Sequence, residues 1–267
     1  MSGISTATVT RAATTTPAGR MRALARAELT LLGRSKGTLL GALFVPLVMP
    51  FSLRQVAGGM DLKANGLSIG AVVVPGAIGI SLLFAVYSAL TTVFAARREE
   101  LVLKRLRTGE LRDPEILAGA ALPSVAIGLT QCVVLTIGCT VLLDAGAPSA
   151  PHLAVLGVLL GLVMFTALAA VTASFSRSVE SAQVIALPLT FASMFGSGLF
   201  IPFEVMPDKV ASICEFLPLS PVIELVRGGW TGDLSGAETL GTLATAVAWT
   251  VVSVFAVRRW FRWEPRR

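Results

Sequence analysis

The stretch Arg97 to Gly119, RREELVLKRLRTGELRDPEILAG, decides how this chain is read. Apolar runs lie directly before it (Leu67 to Ala96) and after it (Ile116 to Leu143), so it is a charged segment enclosed by membrane-type sequence. Glu99 and Glu100 precede the bases Lys104, Arg105 and Arg107. That order predicts one helix with acids in its first turn and bases in its last, complementing the helix dipole. Glu100 and Lys104 form an i,i+4 pair in the favourable direction. Leu101, Val102, Leu103 and Leu106 put apolar surface among the charges, which predicts a docking face for a soluble partner. The plainer reading is a solvated loop that packs on its own bundle.

Composition sets the solvent. The chain has 267 residues, of which 54% are hydrophobic and 14% charged. Soluble domains carry about 25% charged residues, so the deficit points to lipid. Six apolar segments each approach the ~20 residues that cross a ~30 Å hydrocarbon core. They run over about 37–56, 67–96, 116–143, 153–175, 182–201 and 237–257. Backbone groups in lipid must bond internally, so all six are expected to be helices, and the fold class is an all-α integral membrane protein. Residues 1–20 lack an apolar core and are rich in Ser, Thr, Ala and Pro, which predicts a disordered tail rather than a secretory signal. Met21 to Lys36 alternates leucines with arginines and predicts an amphipathic helix on the membrane surface, with a plain charged flank as the alternative. Residues 258–267 form a basic tail.

The net charge of +6 is an orientation signal. With both termini inside, eighteen of the 22 Lys and Arg residues fall on the inner side, while the acids divide evenly. Positive-inside asymmetry therefore places both termini and the central charged stretch in the cytoplasm of a multi-pass protein. Nucleic acid is excluded as a partner, because the basic residues follow the topology. Cys132 and Cys139 lie in an apolar helix and Cys214 stands alone, so neither a disulfide framework nor a metal site is expected.

Phe200 to Asp233 is too apolar for a solvated loop and too interrupted by Pro202, Pro207, Pro218 and Pro221 to span. Two short helices fit, Asp208 to Phe216 and Ser220 to Gly228, each starting beside a proline. Together they predict a hairpin that dips back into the outer leaflet.

At this point the chain resembles the type-2 family of ABC transporter permeases, and is most similar to its actinobacterial drug-exporter branch, which includes the daunorubicin exporter permease. The central stretch is similar to that family's cytoplasmic coupling helix, and SGLFIPFEVMP…LPLSPVIELVRG to its signature at the outer end of the fifth span. Leu101-Val102 stands where many relatives have Gly-Thr. The resemblance implies a role for Arg98, Glu99, Glu100, Leu103, Lys104, Arg105, Leu106 and Arg107 in docking a cytoplasmic ATPase subunit. It implies an outer motif at Pro202, Pro207, Pro218, Pro221, Arg227 and Gly228. It further implies a permease homodimer in a bacterial plasma membrane, exporting a small amphipathic compound.

The chain has no G-x-x-x-x-G-K-[ST], so it is not expected to bind ATP or act as an enzyme itself; ATP and Mg would sit on the partner. No acidic residue lies mid-span, which argues against ion coupling. Gly66 to Gly70 matches G-x-S-x-G with Asp144 and His152 downstream, but Ser68 opens an apolar helix and reads as its cap. For a substrate path the fifth span offers Phe191, Met194, Phe195 and Gly198, with Phe191, Phe195 and Gly198 on one face. The second offers Phe84, Ser88 and Thr91. Helix packing or lipid contact explains the same residues. Export of a polysaccharide or lipid-linked glycan, or a membrane protein that transports nothing, are the other readings; one Tyr and four Trp provide few sugar-stacking rings.

Overall fold

The structure, a computed structural model, describes residues 68–109, 111–142, 146–200 and 206–261, with single positions at 16, 19, 22, 23, 25, 26, 30, 48, 52, 55, 203 and 263. The expected tail over 1–20, the first span over 37–56 and Pro202 fall outside this set, apart from those single positions. Of the surface helix, Arg22, Ala23, Ala25, Arg26 and Thr30 are described, and all are helical. Among the described residues every regular element is a helix. Five helices are long and apolar enough to cross a membrane: α1 (Ile69–Glu99), α3 (Asp113–Leu142), α4 (Pro151–Phe175), α5 (Val179–Gly196) and α8 (Gly236–Trp260). Between α1 and α3 lies the short α2 (Val102–Arg107). Between α5 and α8 lie α6 (Asp208–Cys214) and α7 (Ser220–Thr231), close to the two short helices expected there.

α1 is the axis of the bundle. It is apolar all round, and most of its span is buried, the pattern of a helix surrounded by others. Ser68 caps it, accepting a hydrogen bond from Ala71 N at 3.2 Å, as its sequence context predicts. Its middle, Leu82–Ser88, is a π-helix. This wider turn points Phe84 outward and Tyr87 inward, where the Tyr87 hydroxyl lies 3.0 Å from Thr172 Oγ1 of α4. One turn earlier, buried Ser81 donates to Gln131 Oε1 of α3 at 2.6 Å. Gln131 thus ties α3 to α1. In an apolar interior such bonds fix register, because the alternative leaves polar groups unpaired.

α4 packs against α1, α7 and α8. Close approach to α7 needs small residues at Gly157 and Gly161. A Cβ at Gly157 would meet Leu225 Cβ at 2.9 Å, and one at Gly161 would meet Leu82 Cδ1 at 2.9 Å and Val222 at 3.1 Å. The pair is a G-x-x-x-G on one helix face, the small-residue pattern of membrane helix contacts. The α6–α7 hairpin is anchored at its turn by Trp249 Nε1, which donates to Phe216 O at 2.9 Å. Cys132 and Cys139 are buried and Cys214 half-buried, all as free thiols.

Candidate functional site

The charged stretch does not form one helix. α1 runs through it to Glu99, and the chain then breaks at Leu101, which has φ 59° and ψ 16°. Leu101 is the sole non-glycine at positive φ among the described residues. α2 starts immediately after it and ends at Arg107. The acids therefore close α1 instead of opening the coupling helix, and the expected dipole arrangement and Glu100–Lys104 pair across one helix do not form. The bases Lys104, Arg105 and Arg107 do lie in the last turn of α2.

The break divides the residues expected to dock into two groups. Lys104, Arg105 and Arg107 are exposed on α2, and Glu99, Glu100 and Leu101 are exposed beside it. Leu106 is half-buried. Arg98 and Leu103 face inward, at 1% and 0% exposure. These two are withdrawn from the docking face, since neither presents a side chain to a partner. Leu103 instead pins α2 to the bundle.

Arg98 holds the neighbouring inter-helix turn. Its Nη1 donates to Ala173 O at 2.6 Å, and its Nη2 donates to Ser176 O at 2.6 Å and Ser176 Oγ at 3.0 Å. These acceptors lie at the C-terminus of α4, where carbonyls lack helical partners and the dipole favours a cation. Glu99, the next residue, accepts from Val179 N at 3.2 Å, the first residue of α5. An anion at a helix N-terminus is the matching half of the same rule. Arg98 and Glu99 together grip the end of α4 and the start of α5, three and two residues before the break that leads to α2. Arg107, at the far end of α2, forms a bidentate pair with Asp113 of α3 at 3.0 and 3.2 Å, and lies 4.9 Å from the Trp263 ring centre.

The outer motif is built on a second buried arginine. Arg227 of α7 is 7% exposed. Its Nη2 donates to Gly198 O at 2.6 Å and its Nε to Ala71 O at 3.3 Å. Ala71 O would normally bond to residue 75, but Pro75 has no N–H to give. Arg227 therefore satisfies a carbonyl that a proline orphans, and joins α7, α1 and the end of α5. The resemblance implied it only as a position of the outer motif; the structure makes it an internal tie. Gly228 packs under Leu234, leaving no room for a Cβ. Pro207 caps α6, and Pro221 sits in the first turn of α7. Pro218 lies in the turn between the two helices.

The expected substrate-path residues are only partly brought together. α1 and α5 are neighbours. Phe84, Phe191 and Phe195 are exposed, and Ser88 and Met194 are half-buried. Phe191 and Phe195 stack with ring centres 6.3 Å apart, and Phe195 stacks on Phe200 at 5.9 Å. Gly198 does not share their helix face: α5 ends at Gly196, and Gly198 is a buried turn residue at φ +68° under the Phe203 ring. Thr91 is also buried, its hydroxyl donating to Tyr87 O at 2.8 Å, because the π turn rotates the face that regular spacing predicts.

The Arg98–Ser176 and Glu99–Val179 contacts were missed from the sequence. A basic-acidic dipeptide in a charged loop carries no mark of burial. The signal that was available is the polar break Ser176-Arg177-Ser178 between two apolar runs, an unusually tight turn that needs an external cap.

The family model described as ABC-2 type transporter matches residues 20–230. Over 78 residues the chain is 41% identical to YvfS of Bacillus subtilis (strain 168), named as a transport permease. That match covers 28% of this chain and 31% of YvfS, so less than a third of that relative's length is spanned. Nodulation protein J of Rhizobium leguminosarum bv. trifolii is 29% identical over 206 residues, covering 71% of this chain and 72% of that protein.

Proposed function

The chain belongs to the ABC-2 type transporter family, and on that premise we propose that it is the permease subunit of an ATP-driven exporter. It is a multi-pass membrane protein with transport-permease relatives. A separate cytoplasmic ATPase subunit binds ATP and Mg, and two permeases pair in a bacterial plasma membrane with both termini inside. The cargo is an amphipathic or apolar compound that leaves past the Phe84, Ser88, Phe191, Met194 and Phe195 surface. The assignment to the daunorubicin-like branch belongs to this proposal.

One observation carries the reading. α2 presents Lys104, Arg105 and Arg107 outward while its Leu103 is locked inside. A helix of six residues is too short to be stable by itself. Anchored at one face and charged at the other, it is suited to receive a partner and pass on the push. Because α1 continues into the break before α2, and Arg98 and Glu99 grip the α4–α5 turn, displacement of α2 moves α1 and that turn together. Closure of the ATPase pair would shift three spans as one body. The π segment in α1 is the local weak point at which such a shift bends the helix.

The test is charge reversal at the exposed bases, Lys104→Glu with Arg105→Glu. Loss of ATPase co-purification, with the permease still inserted, is expected. Full-rate ATP-dependent efflux with the partner still bound would remove the docking assignment.

A further inference from the structure

A groove to which α5 contributes no described residue runs along the bundle. α3 and α8 both pack on α4, and the space between them is a cavity of about 620 Å³ floored by α4 and closed at one end by Phe94. Its walls are apolar, with Leu122, Val125 and Val163 among them. Among the described lining residues the charged groups and the indole lie at one end, where α3 begins and α8 finishes: Asp113, Arg258 and the Trp263 ring; Thr166 of α4 also lines the groove, its hydroxyl donating to Leu162 O of its own helix. Along α3 it runs from Asp113 to Val125, roughly 18 Å at the α-helical rise of ~1.5 Å per residue. That is about one leaflet, half of a ~30 Å hydrocarbon core. None of the substrate-path residues lines it.

We propose that this groove binds an anionic phospholipid of the cytoplasmic leaflet, with an acyl chain between α3 and α8 and the phosphate at Arg258. The proposal relies on the exporter reading only for the leaflet that supplies the lipid. Three features select this occupant. The depth matches one leaflet. The wall is apolar to its inner end, so a wholly polar ligand gains nothing there. At the mouth, the Arg107 guanidinium is held by the Asp113 carboxylate in a bidentate pair, which cancels both charges. Among the described lining residues Arg258 is then the cation without a facing counter-charge, and it favours an anionic over a zwitterionic headgroup. Trp263, edge-on to Phe261 at 5.0 Å, places an amphipathic ring at headgroup depth.

The full-length permease is incorporated into nanodiscs holding equal parts of phosphatidylglycerol and phosphatidylcholine with matched chains, then released for native mass spectrometry. The wild type is expected to retain phosphatidylglycerol about fivefold over phosphatidylcholine, the scale of one basic side chain at an anionic surface. Arg258→Gln brings the ratio to near parity. Ala118→Trp, at an exposed position in the wall, removes retention of both lipids. A photo-reactive benzoylphenylalanine at Leu122 gives a lipid adduct in the intact mass. Equal retention of both lipids by the wild type, an unchanged preference in Arg258→Gln, or an adduct joining Leu122 to protein alone would each overturn the site. The measurement needs no ATP and no partner. A failed docking test at Lys104 and Arg105 therefore leaves it standing, and its own failure leaves the exporter reading intact.

Discussion

Two arginines, one at each end of the bundle, solve the same problem with different consequences. Arg98 and Arg227 both bury a guanidinium and spend it on main-chain carbonyls at helix ends or breaks. Arg227 is enclosed by α7, α1 and the α5 exit, and its neighbours Gly198 and Gly228 are packed tightly around it. Arg98 is equally buried but sits three residues before a break that releases an exposed, charged helix. The outer arginine ties down a hairpin. The inner one ties the stem of α2, the helix proposed to dock the partner, to the turn between two spans. Burial of a charge therefore says little about its role; what is attached to it decides whether the tie is static or transmits.

The comparison is broken most directly by deleting each tie. Arg98→Ala removes three charge-assisted hydrogen bonds between described residues and is expected to lower stability by about 3 kcal/mol, about 1 kcal/mol for each buried acceptor left without its donor. Arg227→Ala removes two between described residues, the Nε one long at 3.3 Å, and is expected to cost about 2 kcal/mol. Thermal unfolding in one detergent ranks them, and the reverse order would mean that the outer hairpin, not the inner turn, secures the bundle. Lysine at either site should recover little, because a single ammonium cannot reproduce the fork.

A gain is expected at Leu101. A leucine in the left-handed region costs roughly 1–2 kcal/mol, and Leu101→Gly should return about that much as a raised unfolding midpoint. If the glycine variant is less stable, the exposed leucine contributes a packing contact that outweighs its backbone strain. The smallest effect belongs to Arg107→Ala. Its pair with Asp113 is half-exposed and is worth ~0.5 kcal/mol, so stability should barely move.

The apolar architecture was legible because its signal is redundant. Five of the six expected spans coincide with helices, the hairpin helices start beside their prolines as expected, and Ser68 caps α1. Residues 37–56, the remaining span, lie outside the described structure. The charged stretch was misread in detail because charge order predicts a helix but carries no information on a single backbone reversal. The clue was in the resemblance: Leu101-Val102 departs from the Gly-Thr it leads one to expect, and the backbone at Leu101 has the positive φ that favours glycine. Arg98 was placed on the surface because arginine is rarely buried; its partners are main-chain carbonyls 75 and more residues away, which no local pattern reveals. The face of α1 was misassigned at Thr91 because a π turn changes the periodicity on which face assignments rest.

The central claim is that the grip on the α4–α5 turn carries motion from the docking helix to the spans. Glu99 tests it most directly, because its bond to Val179 N is exposed and its loss should cost only ~1 kcal/mol of stability. Glu99→Ala is reconstituted with the ATPase subunit in liposomes, and three quantities are measured: partner affinity, ATP hydrolysis, and compound exported per ATP. Compared at saturating partner, so that any contribution of Glu99 to docking is covered, hydrolysis per assembled complex is expected to stay near wild type while export per ATP falls about tenfold, a coupling loss near 1.4 kcal/mol. Unchanged export per ATP at saturating partner would contradict the account.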